Sequence, residues 1–305
     1  MSVIGFDTSN YTTSIACFDG RDGVNCSRLL PVKQGELGLR QSDAVFHHTK
    51  SLPELSGRLF SHVRGEIMAV GVSTRPRAVE GSYMPCFMVG YSHAKLLSDA
   101  YKVPLFEVSH QQGHVAASLW SAGRLDLMDV PHLAWHLSGG TTELLLVEPE
   151  GRNVKCTRIG GTTDISAGQL IDRTGVMLGL PFPAGKHLDA LSKEAQGREV
   201  FKVKCPEMEF SLSGVQNKVQ QFHKGNDAET ASYALRCVAF AVHKATENAL
   251  KAYPGLEVVF SGGVASNSML RQLTADLDPV YCEPQYSTDN AMGVAVLTHR
   301  LMEEA

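Results

Sequence analysis

The 305-residue chain has no apolar run long enough to cross a bilayer, and Met1 to Asp7 lacks the basic and apolar regions of a secretory leader. The expectation is a cytoplasmic protein with no membrane partner. It also lacks any CxxC pair. Its seven cysteines, Cys17, Cys26, Cys86, Cys156, Cys205, Cys237 and Cys282, are odd in number and scattered. That excludes a zinc ribbon or disulfide framework and suits a reducing compartment. Neither sign of charge dominates: 28 Lys and Arg against 32 Asp and Glu leave a net charge of −4, so no overall basic field points to nucleic acid. GxxxxGK[ST] and GxGxxG are both missing, which sets aside P-loop and Rossmann chemistry. No Pro/Ser-rich linker or low-complexity stretch interrupts the chain. What remains is a globular composition, 43% hydrophobic and 20% charged, with length for about two domains.

One pattern occurs twice. Val3 to Ser9 reads as a buried strand ending in small polar residues, and Thr12 to Gly20 as a second strand entering a turn. Leu133 to Leu137, the tight turn Ser138-Gly139-Gly140 and the strand Thr141 to Val147 repeat it. Aligning Thr12-Thr13 with Thr141-Thr142 also places Ser9 on Ser138. A repeat this long implies a duplicated domain rather than a solenoid, whose period is about 20–50 residues. Around the hairpins, strands (Ile67 to Val72, Val103 to Val108, Leu256 to Phe260) alternate with helices (Met84 to Tyr101, His110 to Trp120, Ser166 to Leu178, Phe210 to His223, Glu229 to Ala252, Asn290 to Glu303). The expected architecture is α/β: residues 1–105 plus 288–305 form one domain, 106–287 the other, and a cleft between them is the default ligand site.

Three small-residue turns could offer backbone N–H groups to phosphate: Asp7 to Asn10, Ser138 to Thr141, and Ser261 to Asn267. Singly, each is an ordinary turn; at symmetric places they suggest a nucleotide. His110-Gln111-Gln112-Gly113-His114 spaces two imidazoles at i and i+4, on one helix face. No glutamate follows His110, so this is not a zincin. Alone, such a pair can also be an ordinary polar helix face; if it holds a metal, a carboxylate must come from afar, and Asp289 is a candidate, an N-cap being its alternative role. Asp172 and Asp189 could accept hydrogen bonds from ribose hydroxyls, or simply be solvated.

Seven collinear stretches carry a resemblance: His110-x-x-x-His114, Leu137 to Thr142, Ala167 to Thr174, Leu178 to Gly185, Phe210 to Gly214, Gly262 to Asn267 and Ser287 to Asn290. They resemble the ASKHA superfamily (actin, Hsp70, sugar kinases), and more narrowly the glycoprotease-named TsaD family, which makes N6-threonylcarbamoyladenosine in tRNA. The resemblance implies two duplicated ASKHA, ribonuclease H-like domains. It implies one divalent metal on His110, His114 and Asp289, with iron, zinc, manganese and magnesium all open. It also implies an adenine nucleotide or threonylcarbamoyl-AMP, with Ser9, Leu137, Ser138, Gly139, Gly140, Thr141, Asp172, Gly185, Asp189, Gly262, Gly263 and Asn267 as its candidate contacts. The implied reaction is acyl transfer to a tRNA adenine, not proteolysis. At net charge −4, tRNA would be held with help from protein partners; a homo- or heterodimer is open.

Departures from the family pattern stand out. Tyr11 occupies the place of a catalytic acid, and Thr141 that of a histidine. Thr74 to Gly81 replaces a glycine-rich stretch, and Gln169 a glutamate. A phenol with a pKa of about 10 is no carboxylate base. The catalytic group is therefore unassigned, and the alternative reading is a non-catalytic nucleotide-binding partner of a true transferase.

Overall fold

The computed structural model describes residues 1–31 and 39–303. Ser2–Thr8 (β1) and Thr12–Phe18 (β2) form an antiparallel hairpin buried along its whole length, as expected of strands covered on both faces. Gly23–Leu29 (β3) continues the meander. Then come Gln41–Phe60 (α1), Ile67–Arg75 (β4), Phe87–Tyr101 (α2), Leu105–Ser109 (β5) and His110–Ser121 (α3). The sheet order is β3-β2-β1-β4-β5, with β4 and β5 parallel to β1. Ile4, Phe6, Ile15, Val70 and Val72 bury one face against Leu52, Leu55 and Leu59 of α1 and Ala94 of α2.

The second sheet starts with His132–Leu137 (β6), Thr142–Glu150 (β7) and Asn153–Thr162 (β8). It is followed by Ala167–Met177 (α4), Gly185–Ser192 (α5), Glu209–Phe210 (β9), Ser213–Phe222 (α6), Asp227–Ala252 (α7), Val258–Ser261 (β10), Ser268–Leu273 (α8) and Val280–Tyr281 (β11). The order is β11-β10-β6-β7-β8-β9. Trp135, Phe210 and Phe260 centre its core, and the Trp135 indole N–H donates to Thr246 Oγ1 on α7 at 2.8 Å. Met292–Met302 (α9) closes the chain. Among the described residues no helix is long and apolar enough to cross a membrane.

The duplication is visible in the register. Val3 pairs with Phe18 and Thr8 with Thr13; His132 pairs with Val147 and Leu137 with Thr142. The second hairpin is the first shifted by 129 residues on both strands, the offset that aligns Thr12-Thr13 with Thr141-Thr142. Neighbouring strands repeat as well, since β3-β2-β1-β4-β5 maps onto β8-β7-β6-β10-β11.

The chain divides into two compact units, Met1–Val130 with Glu148–Cys156 and Asp289–Ala305, and Pro131–Val147 with Thr157–Thr288. This division differs from one at residue 105 in keeping α3, which packs with α9, in the first unit. Small residues let α9 approach this closely: a Cβ on Gly293 would collide with the Gly113 carbonyl on α3, and one on Gly5 of β1 would lie 2.6 Å from the Ala295 nitrogen. A correction concerns the helix expected from Phe210, which starts at Ser213. Asp164 accepts N–H bonds from Leu212 (2.8 Å) and Ser213, and hydroxyl bonds from Ser211 and Ser213, so a carboxylate from another loop caps α6.

Candidate metal centre and glycine-rich turns

Ser109 starts α3 with a capping box: its Oγ accepts the Gln112 N–H, and Gln112 Oε1 accepts the Ser109 N–H at 2.8 Å. His110 is thereby the first helical residue, and His114 lies one turn along the same face. The rings meet edge-on with centroids 4.3 Å apart and Nε2 atoms 2.9 Å apart. Asp289 Oδ1 lies 3.3 Å from His114 Nε2 and 3.5 Å from His110 Nε2. One ligand atom from each residue fits within 4.8 Å of the others, a group able to hold one metal ion. Asp289 does not cap α9: Asn290 Oδ1 accepts the Met292 N–H at 3.0 Å, and Asn25 Oδ1 the Ala291 N–H at 3.1 Å. Its carboxylate is left to the histidines.

Asp7 is the functional residue that sequence reasoning missed. Buried at the end of β1, it accepts the His110 Nδ1–H (2.7 Å) and the Ser73 hydroxyl (2.8 Å) on Oδ2, and the Ser9 N–H (3.0 Å) on Oδ1. An ionised carboxylate only accepts, so Nδ1 carries a proton and Nε2 is turned to the side of His114 and Asp289, where it offers a lone pair once its own proton has left. Burial alone would raise the Asp7 pKa, but the His110 charge and hydrogen bond outweigh it and the net shift is downward. For His110 burial pulls downward, yet Asp7 and Asp289 lift the pKa to about 10. Burial likewise opposes Asp289, whose bonds to His110 and His114 nevertheless hold it well below the carboxylate range. Two anionic carboxylates around an imidazole, His110, that retains its proton suit replacement of that proton by a dication. The available signal was an acid near the end of a buried strand, two residues before a serine.

In the second unit, β6 leads into the Ser138 turn, closed by Ser138 N–H to Thr141 O (2.8 Å) and Thr141 N–H to Ser138 Oγ (3.0 Å). Gly139 and Gly140 are exposed, with open space where a Cβ would stand. The inner side is sealed by α4: the Ser166 hydroxyl donates to the Gly139 carbonyl (2.6 Å), and a Cβ on Gly168 would lie 2.5 Å from the Ser138 oxygen. Gly262, at φ +91°, sits so close to the Leu137 carbonyl that a side chain would collide with it. Gly263 starts the following 3-10 turn, and Asn267 caps α8 by accepting the Leu270 N–H at 3.1 Å.

The two helical acids are held rather than merely solvated. Asp172 accepts the Ala184 N–H (2.8 Å) and so fixes the entry to Gly185; burial raises its pKa. Asp189 accepts the Ser268 N–H (2.9 Å) and hydroxyl (2.8 Å), and Lys193 lies 3.4 Å away. The structure thus gathers Leu137, Ser138, Gly139 and Gly262, joins Asp189 to the Asn267–Ser268 step, and sets Asp172 against Gly185. Ser9 belongs to the other unit, beside Asp7.

Residues 37–296 match the profile of the family described as TsaD, tRNA N6-adenosine threonylcarbamoyltransferase. The chain belongs to the TsaD family. The tRNA N6-adenosine threonylcarbamoyltransferase of Carboxydothermus hydrogenoformans is 31% identical, over 96% of this chain and 90% of its own. Its counterpart in a Sulfurihydrogenibium species is 32% identical, over 100% and 91%. Among solved structures, HypF of T. kodakarensis superposes with a TM-score of 0.65 at 11% identity over 99% of this chain, which spans 48% of HypF's length. Component A of the (R)-2-hydroxyglutaryl-CoA dehydratase of Acidaminococcus fermentans gives 0.59 at 14% identity, covering 99% of both chains. The ROK hexokinase of Thermus thermophilus gives 0.54 at 15%, covering 100% of both. These likenesses show the fold: two duplicated ASKHA-type α/β domains.

Against the TsaD family pattern, Tyr11 stands at the tip of the β1–β2 hairpin, 40% exposed, with its carbonyl accepting the Leu30 N–H at 2.7 Å. Thr141 follows the exposed glycines of the Ser138 turn. Of the apolar residues that begin the α2 region, Phe87 is core and Met88 is exposed.

Proposed function

We propose that this chain transfers a threonylcarbamoyl group from threonylcarbamoyl-AMP to N6 of a tRNA adenine, releasing AMP. The observation that carries the reading is the convergence of His110, His114 and Asp289, oriented from behind by Asp7, in a chain whose relatives are tRNA N6-adenosine threonylcarbamoyltransferases. Two imidazoles and one carboxylate favour zinc, iron or manganese over magnesium, which prefers oxygen donors. A divalent ion on these residues would supply Lewis-acid polarisation of the acyl carbonyl. Asp7 holds the His110 ring so that Nε2 faces the group. In the second unit the N–H groups of Gly139 and Gly140 are free of side-chain cover and suit phosphate oxygens, with Leu137, Ser138, Thr141, Gly262 and Gly263 as the frame around them. Asp172, Gly185, Asp189 and Asn267 would set the nucleoside end, and Ser9 would meet the acyl-adenylate beside Asp7. Protein partners would supply the basic surface that a chain of net charge −4 lacks.

The test is an assay of purified chain, threonylcarbamoyl-AMP and tRNA, with modified adenosine read by mass spectrometry. Modified tRNA that depends on His110 and His114 is expected. No product, from protein that binds metal and adenylate, would overturn the transferase reading.

A further inference from the structure

The second unit holds a cavity between α6, α7 and the segment after α5, and it shares no residue with the metal centre or the glycine-rich turns. Its walls follow from local sequence. Gly225 takes φ +85°, and Asn226 caps α7 by accepting the Glu229 N–H at 3.1 Å, so the chain reverses sharply between the two helices. Phe222, the last residue of α6, thereby stacks on Tyr233 of α7, with ring centroids 4.1 Å apart and planes 4° from parallel. Glu229 straps the segment after α5 across the helices: Oε1 accepts the Gln196 N–H (2.9 Å) and Oε2 the Gly197 N–H (3.1 Å). A Cβ on Gly197 would lie 2.5 Å from Glu229 Oε2, so glycine lets the strap lie this close. The space left is a recess of about 210 Å³ that opens into a wider mouth of about 490 Å³.

The lining sorts charge by depth. Glu199, Glu229 and the Phe222 and Tyr233 rings line the recess, whereas Lys218 and Lys224 line only the mouth. Burial first, then Cys237 and Glu199, raise the Tyr233 pKa, so the phenol stays protonated at neutral pH beside the Glu199 carboxylate. Among the described residues Glu199, Lys218 and Lys224 make no ion pair, and Lys218 donates to the neutral Gln221 Oε1 at 3.3 Å. Carboxylates beside aromatic rings favour a cation, and unpaired ammonium groups favour an anion. Two acids and two lysines leave the lining without net charge, which disfavours a polyanion such as nucleic acid. Among the described residues the acids also join no group of three metal ligands. We propose that this cavity binds a small zwitterion, an ω-amino or ω-guanidino acid whose cationic end enters the recess against Glu199 and the rings and whose carboxylate meets Lys218 and Lys224 at the mouth. The mouth lies within the range of small-molecule sites, about 300–1,000 Å³. Binding there requires no acyl transfer, so the site stands whether or not the chain modifies tRNA.

Calorimetric titration of the full chain with γ-guanidinobutyrate tests this, beside agmatine, which lacks the carboxylate, and butyrate, which lacks the cation. γ-Guanidinobutyrate should bind about tenfold tighter than either. Glu199→Gln should weaken it about tenfold and remove its advantage over butyrate. Lys218→Gln combined with Lys224→Gln should weaken it by at least as much and remove its advantage over agmatine. All three side chains are exposed, so the variants should keep the fold, which circular dichroism checks, and their metal content should match wild type. Equal affinities for the three probes, no binding to the folded chain, or binding that survives both sets of substitutions would overturn the proposal.

Discussion

His110 Nδ1 stands 2.7 Å from Asp7 Oδ2, joining the end of β1 to the first turn of α3. The bond commits one ring nitrogen and aims the other before any ligand arrives. Asp7→Asn keeps the shape and removes the charge, so metal affinity should fall by about 10- to 100-fold. Calorimetric titration checks this, with circular dichroism to show that the fold is kept. Unchanged affinity would leave Asp7 a purely structural acid.

Metal uptake should consume base. Burial lowers the His110 pKa, but Asp7 and Asp289 raise it to about 10 in the metal-free chain, so a proton occupies the pair at neutral pH. A ligand with a raised pKa makes protons compete with metal through the pH 7–10 range, and affinity should rise with pH by about tenfold per unit. Titration at pH 7 in two buffers of different ionisation enthalpy should show release of about one proton. Without metal, the stability linked to this histidine is fully present below pH about 6.5 and is lost as pH climbs towards 10. Zero proton release would show His110 already neutral.

Much of this centre was legible because its signals are local. The i, i+4 histidines of α3 share a face in any helix, and the Thr-led hairpins repeat one spacing, so the ligand pair and the duplication could be read directly. Asp289 stood as a candidate that the family resemblance then favoured; as sequence it competes with an N-cap role that Asn290 and Asn25 in fact remove. Asp7 was hidden, since its partners Ser73 and His110 lie 66 and 103 residues away. The start of α6 was misplaced for the same reason: its cap, Asp164, lies 48 residues before Leu212. Helix α1 was missed outright. It carries Pro53 inside and a mixed polar face that only packing against β2 and β3 explains.

Tyr11 invites a restoration. It sits at an exposed hairpin tip where the family pattern has an acid, so Tyr11→Glu should leave Tm within about two degrees of wild type. On the transferase reading, it should raise the rate of modified-adenosine formation by about 10²- to 10⁴-fold, the usual worth of one placed acid or base. A rate unchanged by Tyr11→Glu, with the fold intact, would show that this chain does not use an acid at that position.

Gly293 ties the packing of the first unit to its metal centre. A Cβ there would collide with the Gly113 carbonyl and lie 2.8 Å from the Ala117 nitrogen, so backbone must move rather than a side-chain tip. Gly293→Ala should therefore cost about 1–3 kcal/mol or more, against the small gain alanine normally brings to a helix. Because α3 carries His114 and α9 follows directly on Asp289, prying the helices apart should also separate those ligands, and metal content should fall with Tm. Gly57→Ala is the control: Gly57 is exposed on α1 with nothing within 4 Å of the new methyl, and should stabilise slightly with metal content unchanged. Differential scanning fluorimetry with elemental analysis reads both effects. A Gly293→Ala protein that melts lower yet binds a full equivalent of metal would show that the centre tolerates movement between its two helices.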